Sequence, residues 1–136
     1  MSNLYSFSTE TLTALRKFRF GSARVSSMQA IIYIIDKDTY EIRRQDDDII
    51  DNVDELVEEL PDNTPRYIVL SYPMKASDGR LMTPLVLLYW IPPTSGQESR
   101  MLYAGAVEQF REKAGVSKLI KMEEEEDFED LEDQLK

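Results

Sequence analysis

Neither cysteine nor histidine occurs among the 136 residues of the chain. The first absence rules out a disulfide framework, a thiol nucleophile and a cysteine-based zinc site. The second removes the usual neutral-pH general base, so the common hydrolytic triads and most transition-metal sites cannot be assembled. No apolar run approaches the length of a membrane span, and the opening MSNLYSFSTE lacks the charged and apolar regions of a secretory signal. These features predict a cytoplasmic protein with no membrane partner. There is no glycine-rich phosphate cradle and no serine in a nucleophile elbow. Carboxylates are plentiful, but none falls in a recognisable apolar pocket. The chain therefore reads as a binding protein, not an enzyme, with no catalytic residue, metal or cofactor indicated.

What is present describes a folded chain, with 42% apolar and 31% charged residues. Residues 1–136 read as one domain, without repeat or interdomain linker. The formal charge of -10 is uneven, since the stretch from Glu123 to Lys136 holds nine acidic residues and one lysine. Such a tail argues against a nucleic-acid partner, whose phosphates it would repel. It reads either as a solubilising appendage or, because Phe128, Leu131 and Leu135 share a helical face, as a short acidic helix held against the body. Nothing suggests an obligate dimer, and a monomer is expected.

Ser8 can cap a first helix, along which Leu12, Leu15 and Phe18 recur on one side, and Arg16, Lys17 and Arg19 crowd its last turn. That basic cluster, extended by Arg24, suits the negative end of the helix dipole and equally suits an acidic protein surface. Met28 to Ile35 is an apolar, β-branched run that reads as a strand covered on both faces, and Tyr40 to Gln45 returns beside it. Asp36 and Asp38 fail the calcium-loop pattern, because the glycine position is Glu41 and the terminal glutamate position is Asp47. Asp46 to Asp48 reads as a solvated turn, with no converging ligands nearby. Asp51 is expected to start a second helix, with Asp54 as reciprocal cap, and Pro61 to end it. Arg66 to Tyr72 and Leu85 to Ile91 are further strands, with hairpin chemistry at Ser77 to Arg80, and Val116 to Met122 is a short last strand. The order predicts an α+β fold, a central mixed and mainly antiparallel sheet flanked by helices.

Between Pro92 and Gly115 there is room for about five turns of helix. One face carries Tyr103, Val107, Phe110 and Ala114, flanked by Leu102 and Ala106, and is predicted to be buried. The opposite face carries Glu98, Met101, Gly105, Glu108 and Glu112, with Arg100 and Ala104 at its edge. Small residues beside an exposed methionine make a face that another protein can approach closely. An ordinary solvated face with one stray methionine fits the same pattern.

Several separated phrases together resemble the actin-depolymerising-factor (cofilin-like) homology domain and, within it, the glia maturation factors. They are LRKFRF, IDKD, ELPDNTPRYIVLSY, the DGR hairpin, LVLLYWIPP and SRMLYAGAVEQF, the last with MLYAG where cofilins usually have YAS. The resemblance runs from the first helix to the end of the chain. It implies a cytoplasmic protein of cortical actin structures that binds the actin-related-protein two/three (Arp2/3) complex, suppresses branch nucleation and promotes debranching of daughter filaments. It further implies that Asn3 and Leu4 of the N-terminal segment, with the long-helix face of Glu98, Arg100, Met101, Ala104, Gly105 and Glu108, enter the barbed-end groove of an actin-related subunit. A second surface of Arg16, Lys17, Arg19, Asp78 and Arg80 would act on the first actin subunit of the daughter filament. Departures from cofilin are Glu98 in place of a lysine, and Leu81 and Met82 on a strand that cofilins tend to make basic. They weaken the competing reading of a cofilin-like, filament-depolymerising and severing protein. The acidic ending departs from vertebrate glia maturation factors. On this resemblance Met101→Asp or Gly105→Glu would abolish groove binding.

Overall fold

The computed structural model describes residues 4–22, 27–116 and 118–135. Its centre is a six-stranded sheet. In chain order the elements are β1 (Ser6–Phe7), α1 (Thr9–Gly21), β2 (Gln29–Ile35), β3 (Glu41–Arg44), α2 (Val53–Glu59), β4 (Arg66–Ser71), β5 (Met74–Lys75), β6 (Leu81–Met82), β7 (Leu85–Trp90), α3 (Gln97–Ala114) and β8 (Lys118–Met122). A 3-10 turn at Glu125–Phe128 and a short α4 (Leu131–Leu135) close the described chain. The sheet runs β1-β3-β2-β4-β7-β8, antiparallel in its middle and parallel at the two outermost pairings. β5 and β6 form a separate two-stranded hairpin.

The β-branched runs of β2, β4 and β7 become central strands because both of their faces can be buried. Ile31, Tyr33, Tyr67, Val69, Leu87 and Tyr89 point to the face covered by α1 and α3. Ala30, Ile32, Ile68, Leu70, Val86, Leu88 and Trp90 point to the face covered by α2 and the C-terminal turns. Phe128, Leu131 and Leu135 are all buried there. The Phe128 ring lies 5.9 Å from that of Trp90. Burying such side chains stabilises by about 1.5–3 kcal/mol each, against a few tenths for a typical exposed charge pair. Apolar burial therefore outweighs the repulsion of the tail's carboxylates. The tail is part of the fold and not an appendage, although it forms a 3-10 turn and then a helix where the spacing had suggested one helix.

Ser8 caps α1, its hydroxyl accepting the Thr11 amide at 3.1 Å. Thr11 takes a buried place beside Leu15 and Phe18, leaving Leu12 half-buried. In α2 the cap is Asn52, whose side chain accepts the Glu55 amide at 2.8 Å, and not Asp51. The two adjacent residues have equal capping chemistry, and only the backbone path selects between them. α3 begins after Gly96 and ends at Gly115, which adopts φ 72° to close the helix.

The pairing register places the two candidate surfaces. Gln29 faces Ser71, and Ser71 faces Leu85, so the start of β2, the end of β4 and the start of β7 share one end of the sheet. The ends of β2, β7 and β8 share the other, where Ile35 faces Ile42 and Trp90 faces Met122. α3 spans the distance between them, 18 residues or roughly 27 Å.

Candidate partner-binding surface

α3 is held rigidly before it presents anything. The Phe110 ring stacks on Tyr67 and meets Tyr33 at a tilt, with ring centroids 4.7 and 5.1 Å away. The Tyr103 hydroxyl accepts the Ile35 amide at 3.0 Å, and the Tyr67 hydroxyl donates to the Tyr103 carbonyl. Burial pushes the Tyr67 phenol far above its ordinary value, so it remains a donor. A helix fixed at this many points offers its outer face at little conformational cost.

On that outer face Met101 is 66% exposed, and Leu4 in the N-terminal segment is 57% exposed. A cleft of about 300 Å³ between them is lined by Leu4, Tyr5, Lys37, Tyr40, Glu98, Met101 and Leu102. A second cleft, about 380 Å³, lies on the other side of Met101, against Tyr89, Ile91, Gln97, Arg100, Ala104 and Lys121. The methionine is thus a ridge between two hollows. Such a shape, with a flexible polarizable tip, suits insertion into a groove on another protein.

The other residues singled out on α3 have distinct positions. Glu98, Ala104 and Gly105 are exposed. Arg100 is half-buried and donates to the Pro92 carbonyl at 3.1 Å, so its guanidinium holds the turn before the helix. Glu108 is exposed and paired with Arg111 at 2.7 Å. Gly105 does not offer a vacant approach: a Cβ placed on it would lie 2.5 Å from the Tyr5 hydroxyl oxygen. Asn3 and Arg24 lie outside the described residues.

The five residues assigned to a candidate second surface lie toward the opposite end of the sheet, in two groups on different layers. Arg16 and Lys17 are exposed at the close of α1. Arg19 reaches across the end of α3, where a Cβ on Gly115 would meet its Nη1 at 1.9 Å, and its guanidinium stands 4.8 Å over the Phe20 ring. Arg19 is therefore a packing contact between α1 and α3. Asp78 and Arg80, both exposed in the β5–β6 turn, form a loose pair at 3.8 Å beside Leu81, which is 77% exposed. The hairpin and α1 share an end but not a layer, because Met74 packs with the α2 side and Phe18 with the α3 side.

Two acidic turns resolve differently. Asp36 accepts the amides of Asp38 and Thr39, which hold its carboxyl below the usual range. It is a turn former. Beside Asp46 and Asp48, α2 brings in Glu59, and the three carboxylates lie within 4.8 Å of one another. The sequence had shown no converging group there. Burial, then the charges of Asp46, Glu55 and Asp48, raise the Glu59 carboxyl.

Tyr5, Tyr40 and Lys121 are among the lining residues of the clefts that went unnoticed in the sequence. Tyr5 leaves a trace only as an aromatic in a polar segment. Tyr40 adopts φ 61°, a left-handed conformation that bulky residues rarely take, and its ring sits 6.0 Å from that of Tyr5. Lys121, on β8, lines the second cleft with no local signal at all.

The model of the family described as cofilin/tropomyosin-type actin-binding proteins matches residues 4–136. The chain belongs to this family. It is 46% identical over 146 residues to Protein AIM7 of Saccharomyces cerevisiae, covering 99% of this chain and 98% of that one. It is 35% identical over 114 residues to glia maturation factor beta of Homo sapiens, covering 84% of this chain and 79% of the other. The solution structure of glia maturation factor from Caenorhabditis elegans superposes with a TM-score of 0.80 at 32% identity, covering 98% of this chain and 99% of that chain. The glia-maturation-factor resemblance in the sequence is thereby established, together with the cofilin-like α+β fold. Among the described residues, no helix is long and apolar enough to cross a membrane.

Proposed function

We propose that this protein binds the actin-related-protein two/three (Arp2/3) complex, restrains branch nucleation and promotes the release of daughter filaments at cytoplasmic, cortical actin structures. The observation that carries the reading is the Met101 ridge between two clefts, on a helix fixed to the sheet, in a chain of the glia maturation factor type. In this reading the ridge, with Leu4, enters a groove on an actin-related subunit. The end of the sheet bearing Arg16, Lys17, Asp78 and Arg80 faces the first actin subunit of the branch. A ligand shifts an equilibrium only through its differential affinity for the two states. Binding that is stronger once the adjoining subunit has moved away favours the opened branch, and no hydrolysis by this chain is needed.

The test is a paired pull-down, with the protein immobilised and offered purified Arp2/3 complex or purified actin filaments. Retention of the complex without filaments supports the proposal and justifies imaging branch lifetimes directly. Retention of filaments alone overturns it in favour of a cofilin-like, filament-depolymerising role, which the actin-binding description of the family makes the alternative to beat.

A further inference from the structure

A glycine in the interior of a helix is less favourable than alanine, and Gly105 sits in the middle of α3. Its bare side is occupied from within the chain. The Tyr5 hydroxyl donates to the Leu102 carbonyl at 2.8 Å, and a Cβ on Gly105 would lie 2.5 Å from that oxygen, 3.5 Å from Cζ and 3.8 Å from Cε2. Only glycine leaves room for the phenol to reach the helix backbone.

The rest of the segment is lightly held. β1 pairs with β3 through two residues, and the Ser6 amide donates to the Tyr40 carbonyl at 3.0 Å. Two strand residues supply little stability on their own. The Tyr40 ring, carried by a strained backbone, lies 6.0 Å from the Tyr5 ring at a 30° tilt. Leu4 immediately precedes Tyr5 in the chain and lines the same cleft as Met101.

We propose that Tyr5 is the positioning residue of the partner surface: its ring, seated over Gly105 and tied to the Leu102 carbonyl by its hydroxyl, holds Leu4 beside Met101. Gly105 then serves binding through Tyr5 and not through direct approach of the partner. The inference rests on reading the α3 face as the surface that engages the Arp2/3 complex.

Four chains test it: unsubstituted, Gly105→Ala, Tyr5→Phe and the double variant. Alanine should strengthen the helix, so loss of binding in Gly105→Ala cannot be laid to unfolding. Phenylalanine lacks the offending oxygen and leaves the added Cβ 3.5 Å from its nearest ring carbon, an ordinary contact. Gly105→Ala should weaken binding of the purified complex about tenfold, and Tyr5→Phe about twofold to threefold. The double variant should bind like Tyr5→Phe alone, a rescue that direct contact at Gly105 would not produce. A double variant as weak as Gly105→Ala, or no loss in Gly105→Ala, overturns the inference.

Hydrogen exchange of the Ser6 amide is read in the same chains without any partner. It should quicken in Gly105→Ala and return in the double variant to the Tyr5→Phe rate. Unchanged exchange in Gly105→Ala refutes the seat. Failure of the unsubstituted chain to bind the complex instead refutes the proposed function and with it the role of Tyr5 in binding, while the exchange series still decides the seat itself.

Discussion

Met101 has two thirds of its surface in water although the same helix buries Tyr103 and Phe110 in the core. If the exposed thioether enters an apolar groove, an aspartate there must shed its hydration with no partner to replace it. Met101→Asp should therefore weaken binding of the Arp2/3 complex at least about a hundredfold, or ~2.7 kcal/mol. Thermal stability should barely change, because the side chain contributes little to the core. Equilibrium binding and a melting curve on the same sample check both halves. Glu59 supplies a contrasting case, in which charge acts on the fold and not on a partner. Its folded carboxyl is raised above the ordinary value of 4.5 by burial and three neighbouring acids, so its ionised form opposes folding. That contribution is absent below the ordinary value, where both states are protonated, and grows as pH rises through the folded one. Glu59→Gln should raise Tm at pH 7 and leave it unchanged near pH 3; equal gains at both pH values would assign the effect to something other than charge.

The C-terminal turns show how an element can look like one thing by composition and act as another. Nine acidic residues suggest a solvated appendage, yet Phe128, Leu131 and Leu135 seal one face of the sheet. Phe128→Ala would leave a cavity under Trp90 and α2, and large-to-small changes of this kind cost about 3–5 kcal/mol. Urea unfolding should show that loss; a loss below about 1 kcal/mol would mean the tail is not part of the core. α2 teaches a smaller lesson. Its helical period was readable, but Asp51 and Asn52 have the same capping chemistry, and the chain's path from the bridged Ile50 chose the second.

The molecule keeps its two candidate surfaces at opposite ends of one sheet, joined by the length of α3. Their contributions should therefore separate, since sites this far apart with no shared partners usually act additively. Replacing Arg16 and Lys17 with alanine should leave affinity for the free complex within about twofold. The same variant should slow loss of branches in a filament-imaging assay. Equal loss of both properties would remove the two-ended model. Arg19 is left out of the substitution because it packs across Gly115 and would disturb the junction of α1 with α3.

Local chemistry was enough to reveal the order of the helices and of the longer strands, though not β1 or the β5–β6 pair, together with the burial of β2, β4 and β7 and the closing glycine of α3, and the resemblance of separated phrases revealed the family. Each depends on periodicity, on caps, or on phrases whose spacing survives in a linear chain. The same pattern exposed Met101, because a helix has only one face to bury and the residues opposite Tyr103 and Phe110 must look outward. It could not show what touches that outward face. Tyr5 and Gly105 lie a hundred positions apart, and nothing near either one announces the other. Their meeting depends on β1 pairing with β3, which also sets the Tyr5 ring 6.0 Å from that of Tyr40. Glu59 joins Asp46 and Asp48 only because α2 folds back over that turn. Contacts within a helical turn are dictated by the covalent chain, whereas contacts between distant segments are chosen by packing of the whole core, and the candidate partner surface is built from the second kind.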